Sequence, residues 1–169
     1  MLIRILTPAD ATVFFKLRIE SLEREPRAFA ASAEEDAAMP LETVAARLQA
    51  VPEGTFTAGA FEQGELIGIA GFYRAERLKM RHKGDIWGVY VKPEWRGRGI
   101  ARQMLSAILD RLRSYPTLDH VLLHVSDSQA GARRLYESLG FETCGHERRA
   151  HKVGGDYVDQ YQMVLFLKA

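Results

Sequence analysis

Between Val89 and Ala101 the chain reads Val-Tyr-Val-Lys-Pro-Glu-Trp-Arg-Gly-Arg-Gly-Ile-Ala, and no other stretch constrains the fold as tightly. An apolar strand stops at Pro93, because proline has no ladder donor and closes a central strand. Glycines at 97 and 99 follow, and Ile100–Arg113 then sets Ile100, Ala101, Met104, Leu105, Ile108, Leu109 and Leu112 along one face at helical period. A strand that turns directly into an amphipathic helix lays that helix's apolar stripe on a sheet, so the chain is of α/β type. The same turn offers a place to an anion. Glycine has no Cβ and accepts positive φ, so a ligand can approach the backbone closely. The first N–H groups of a helix lack internal partners and sit at the positive end of its dipole. A pyrophosphate satisfies both conditions, with charge-assisted contacts from Arg96 and Arg98 nearby. Formal net charge is only +1, so nothing global draws in nucleic acid or an anionic membrane, and anion binding has to be local.

The remaining elements follow from periodicity. Leu2–Leu6 reads as a strand. Thr7-Pro8-Ala9-Asp10 starts a helix carrying Val13, Phe14, Leu17 and Ser21/Leu22, and Pro26 ends it or lies just beyond it. Phe29–Met39 is small, acidic and irregular, and Leu41–Ala50 is a short second helix. Thr55–Phe61 and Leu66–Tyr73 form a hairpin about Gln63-Gly64, Arg74–Lys83 is a polar loop, and Asp85–Val91 is the next strand. After the Ile100 helix come strand His120–Val125, helix Gln129–Leu139 with Gly140 at its C-terminal cap, and strands Phe141–Ala150 and Tyr157–Leu167 about Gly154-Gly155. The order is strand, two helices, three strands, helix, strand, helix, two strands. The 169 residues suit one domain over 1–169 with a core that needs no staples. The one cysteine, Cys144, allows no internal disulfide and reads as a small hydrophobe on a strand. No apolar leader opens the chain and no run is long enough to span a bilayer, so the cytoplasm is the expected location.

Arg96-Gly97-Arg98-Gly99-Ile100-Ala101 matches the Arg/Gln-x-x-Gly-x-Gly/Ala signature of the GNAT acetyltransferases. Val89-Tyr90-Val91-Lys92-Pro93 is similar to the family's fourth strand, and Ala132–Phe141 resembles its Ala-x-x-Leu-Tyr-x-x-x-Gly-Phe segment. The resemblance is specific over 85–141 and weaker toward both ends. It implies a GNAT fold, a mixed central sheet of about seven strands flanked by four helices. It implies acetyl-CoA as acyl donor and no metal. Backbone groups of Val89 and Val91, on either side of Tyr90, would pair with the pantetheine arm as if it were an added strand. Amides from Arg96 through Gly97, Arg98, Gly99 and Ile100 to Ala101 would hold the pyrophosphate. Tyr136 would stand beside the sulfur as general acid, where by spacing alone it reads as a core aromatic. Gln129 occupies a position that is Asn in many members, keeping the amide with one methylene more.

In such enzymes an amine attacks the thioester directly. A primary amine of pKa ~10.4 is almost wholly protonated at pH 7, so supplying its free form costs about 4–5 kcal/mol. A base lowers that cost. Asp85, at the start of its strand, and His124, at the end of the next, are the candidates, each otherwise a solvated strand-end residue. Phe29 and Trp87 are candidate walls for the acceptor, with Trp87 foremost a core residue. His146, Arg148, Arg149, His151 and Lys152 read as a solvated basic strand edge, and Glu34-Glu35-Asp36 as a surface loop that could also attract a cationic amine. The expected function is acetyl transfer from acetyl-CoA to a small-molecule primary amine. The alternatives are a protein N-terminal or lysine acetyltransferase, or a CoA-binding regulator without turnover. No nucleic acid or membrane partner is expected, and the C-terminal strands suit a homodimer.

Overall fold

The computed structural model describes residues 1–168. Its strands are β1 (Leu2–Ile5), β2 (Phe56–Glu62), β3 (Glu65–Arg74), β4 (Lys83–Val91), β5 (His120–Ser126), β6 (Glu142–Val153) and β7 (Asp156–Phe166). Its helices are α1 (Ala11–Arg24), α2 (Ala33–Ala37), α3 (Leu41–Arg47), α4 (Ile100–Arg113) and α5 (Ala130–Ser138). The strands form one mixed seven-stranded sheet in the order β1-β2-β3-β4-β5-β7-β6. All neighbours are antiparallel except β4 and β5. That parallel pair needs a crossover, and α4 supplies it. Ile100, Met104, Leu105, Ile108, Leu109 and Leu112 bury against Phe56, Phe72, Ile86 and Val121 on one face of the sheet. Each such side chain contributes about 1.5–3 kcal/mol of transfer free energy. On the other face Phe14 and Leu17 of α1 and Val44 of α3 pack against Leu66, Ile69 and Tyr90.

Two features of β4 shape everything that follows. Its pairing with β5 covers only Lys83–Ile86, after which the strands part. Immediately beyond, Gly71 faces Trp87 while Ile69 faces Tyr90, so β4 carries one residue more than β3 and bulges. Gly88 sits in the bulge at φ +62°, in the left-handed region that favours glycine. The bulge also reverses the alternation: Ile86 and Val91 meet the α4 side, whereas Trp87 and Tyr90 meet the α1 side.

Phe29–Met39 is not wholly irregular: α2 lies within it and brings the helices to five, one more than the four expected. Ser32 nucleates it: its Oγ accepts the Glu35 amide at 3.1 Å, and Glu35 returns a carboxylate oxygen to the Ser32 hydroxyl at 2.9 Å. Glu34, Glu35 and Asp36 are therefore a first helical turn rather than a surface loop, and Asp36 turns inward to Arg18. The last hairpin runs on to Val153, past a register shift between Glu147 and His151 where Arg149 has φ +56° and donates its amide to Asp159 at 2.8 Å. Arg148, Arg149 and Lys152 lie exposed on this edge strand. Cys144 is on β6 as expected, but exposed. No helix among the described residues is long and apolar enough to cross a membrane.

Candidate active site

Where β4 and β5 part, a cleft of about 540 Å³ opens between Val89–Val91, the start of α4 and the first turns of α5. At its mouth Gly97 and Gly99 hold φ +76° and +74°, and a Cβ built on Gly97 would meet nothing within 4 Å. The Arg96 amide is committed to the Pro93 carbonyl at 3.2 Å. The free set therefore begins one residue later than the sequence suggested: among the described residues, the amides from Gly97 to Arg102 donate to no protein acceptor. These are the unpaired donors of a helix N-terminus at the mouth of the cleft.

The two arginines of the motif differ. Arg96 lines the cleft, donates Nε to the Val91 carbonyl at 2.9 Å and pairs Nη1 with Glu25 at 2.8 Å. Arg98 lies over the Trp95 ring at 4.7 Å and donates weakly to the Glu94 carbonyl, so its side chain is off the cleft wall, and its amide is merely left without a protein acceptor. Tyr90 likewise gives the cleft only backbone. Its ring is buried on the α1 side and its hydroxyl donates to Glu20 at 3.2 Å; burial, then the Glu20 carboxylate, push its phenol up to about 12. Gln129, the residue before α5, lines the cleft and donates Nε2 to Glu25 at 3.3 Å. Glu25 thus ties the α4 loop to the α5 start across the opening. Nothing in its sequence position, one residue before Pro26, signalled that.

Tyr136 stands at the inner end of the cleft, 6% exposed and edge-on to Phe141 at 6.0 Å. Its hydroxyl has no hydrogen-bond partner among the described residues, and burial holds its phenol well above the ordinary tyrosine range. It is therefore protonated at any physiological pH and has its donor free. A junction of about 70 Å³, bounded by Tyr136, Val89, Val125 and Ser126, leads on to His124. His124 and Asp85 then share a third cavity of about 230 Å³ with Arg18, Tyr73, Trp87 and Gln160. The register Asp85↔Leu122 puts Asp85 and His124 on one face of adjacent strands. Tyr73 faces Asp85 across β3 and β4, and burial together with that carboxylate raises its phenol. The fold thus brings Tyr136, His124 and Asp85 to one continuous slot. Phe29 and Trp87 wall it, and Trp87 also packs in the second core cluster. Arg18 went unread in the sequence. Its one signal is a charge four residues after Phe14, at the edge of an apolar stripe.

Residues 17–141 match the family described as the acetyltransferase (GNAT) family. The chain is 35% identical over 105 residues to the N-alpha-acetyltransferase RimI of Mycobacterium tuberculosis, an alignment covering 62% of this chain and 62% of that protein. It is 27% identical over 100 residues to the L-amino acid N-acetyltransferase AaaT of Escherichia coli, covering 59% and 61%. These alignments thus span about six-tenths of the length of the curated relatives. The structure of yncA from Salmonella typhimurium with its cofactor acetyl-CoA superposes with a TM-score of 0.81 at 22% identity, over 100% of this chain and 95% of that one, a likeness of fold.

Proposed function

The chain belongs to the acetyltransferase (GNAT) family, and we propose that residues 1–169 act as one domain transferring the acetyl group of acetyl-CoA to the primary amine of a small molecule by direct attack. The observation that carries this reading is the row of unpaired amides from Gly97 to Arg102 at the mouth of a cleft whose inner end is Tyr136. The residues fit the donor. Six free amides and a helix dipole suit a pyrophosphate, and the unpaired edge of β4 beyond Ile86 suits an extended arm. The Salmonella neighbour, which holds acetyl-CoA in a closely similar fold, supports the same donor.

Bound acetyl-CoA supplies a thioester. The residues of this chain do the rest. Val89 and Val91 orient the arm through their backbone, and Gln129 keeps the α5 start in place through Glu25. Asp85 or His124, directly or through water, takes the ammonium proton and so offsets part of the 4–5 kcal/mol needed to free the amine. Tyr136 offers its proton to the leaving sulfur. At ordinary pKa values, ~10 for a phenol and ~8.5 for a thiol, full transfer is uphill by about 2 kcal/mol. The apolar wall that raises Tyr136 disfavours a thiolate too, so the two groups are shifted in the same direction.

A second reading, acetylation of a protein's N-terminal amine, is favoured by the name of the Mycobacterium relative. A third, a CoA-binding regulator, predicts binding without turnover. Calorimetry with CoA, followed by thiol release from acetyl-CoA over a panel of amines and short peptides, separates all three; a chain blind to CoA ends the proposal. The proposed setting is the cytoplasm, and the exposed β6 edge is the surface for a homodimer.

A further inference from the structure

The 230 Å³ cavity holding Asp85 and His124 continues into a larger one of about 630 Å³, whose walls include Phe14, Phe15, Met39 and Leu48. Arg18, Ala31, Tyr73 and Trp87 belong to both. Arg18 is incompletely satisfied. Its Nε donates to Asp36 at 2.9 Å, yet Nη1 is closed off from water and has no hydrogen-bond partner among the described residues. The rings of Phe29 and Trp87 lie 5.4 and 5.7 Å from its guanidinium carbon. The bulge glycine packs close beside it: a Cβ on Gly88 would stand 3.6 Å from Nη1, in van der Waals contact. Nη2 also makes no hydrogen bond among the described residues but is not closed off, and where Arg18 lines both cavities a ligand carboxylate can take a charge-assisted contact from it. Asp85, of opposite charge, lines the same small cavity.

We infer that the acceptor is a free α-amino acid with an apolar side chain: its carboxylate on Arg18, its nitrogen on the Asp85 and His124 side facing the junction, and its side chain in the larger cavity. The inference rests on the acyl-transfer reading and narrows its acceptor. The nitrogen bonds to the acetyl carbon as the carbon–sulfur bond breaks; the nitrogen's proton passes to the base, the sulfur takes one from Tyr136, and the products are an N-acetyl amino acid and CoA. A polyamine would bring a second cation to Arg18, and an amidated or peptide-linked carboxyl would offer it no charge.

The test uses the whole chain and acetyl-CoA with L-leucine, L-methionine and L-phenylalanine, their amides, spermidine and a short peptide. The expected result is a kcat/KM at least tenfold higher for the amino acids than for their amides. Arg18→Gln raises KM for the amino acids at least tenfold and erases the preference, while KM for acetyl-CoA stays unchanged. Asp36→Asn, which keeps the guanidinium, retains the preference. With CoA present, N-acetyl-L-leucine binds more tightly by calorimetry than its amide, a comparison independent of turnover. Better use of spermidine or peptide than of any amino acid, or equal damage by Arg18→Gln to acids and amides, overturns the assignment while transfer itself stands. No thiol release with any amine, in a chain that binds CoA, overturns the transfer reading and this one with it.

Discussion

Tyr136 combines a buried ring, an unpaired hydroxyl and a phenol that burial keeps protonated. Tyr136→Phe removes the donor and breaks no protein hydrogen bond. It should lower kcat on the order of 10²-fold, leave CoA affinity by calorimetry unchanged and leave the thermal midpoint where it was. A fall in stability instead would mean the hydroxyl is structural. At this scale the sequence was partly legible. Helical spacing alone makes Tyr136 a core residue, and it is one; only the resemblance of Ala132–Phe141 to a known segment singled out its hydroxyl. Arg18, Tyr73 and Glu25 were not legible because each acquires its role from partners far along the chain. Arg18 meets Trp87 and Glu25 meets Gln129, and no local pattern records such contacts.

Among elements, the α4 turn was the most legible, since proline, two glycines and an apolar period fix strand end, loop and helix start within a dozen residues. The α2 turn was the least, because it rests on a capping box and one ion pair rather than on an apolar stripe. The entry to α1 makes a pH prediction. Asp10 accepts from Arg4 Nη2 at 2.6 Å and Nη1 at 2.8 Å and from the Thr7 amide at 2.8 Å, and these, the Arg4 contact foremost, hold its carboxyl well below the usual range. A depressed folded-state pKa adds stability above the ordinary value near ~3.9 and loses it as pH falls below that toward the folded value. Urea unfolding from pH 7 to pH 3 should show Asp10→Asn less stable by about 1 kcal/mol at pH 7, with the gap to the parent narrowing below about pH 4. A constant gap would assign the effect elsewhere.

At the scale of the whole molecule, helices cover both faces of one sheet, yet the sheet is continuous only through Lys83–Ile86 at its centre. The strand order was legible as an order of elements; the point at which β4 and β5 separate was not, because it depends on a bulge whose only mark is Gly88 among apolar neighbours. A donor lying in that gap bridges the two halves and binds only the folded chain. Acetyl-CoA at 100 times its Kd should therefore add about 2.7 kcal/mol and raise the thermal midpoint by roughly 5–10 °C, read by calorimetric or fluorescence melting. No shift would mean that the gap is not where the donor sits.

The passage beside Tyr136 measures about 70 Å³, against about 540 Å³ on one side and 230 Å³ on the other. So narrow a neck works as a gauge for the group handed through it. It is the smallest of the three spaces, so bulk added to the acyl group meets its walls, Val125 among them, before those of either cavity. Turnover should drop stepwise from acetyl- to propionyl- to butyryl-CoA, although all three carry the same handle for the cradle and should bind with similar strength. Selection by chain length then belongs to the shape of the split between two strands.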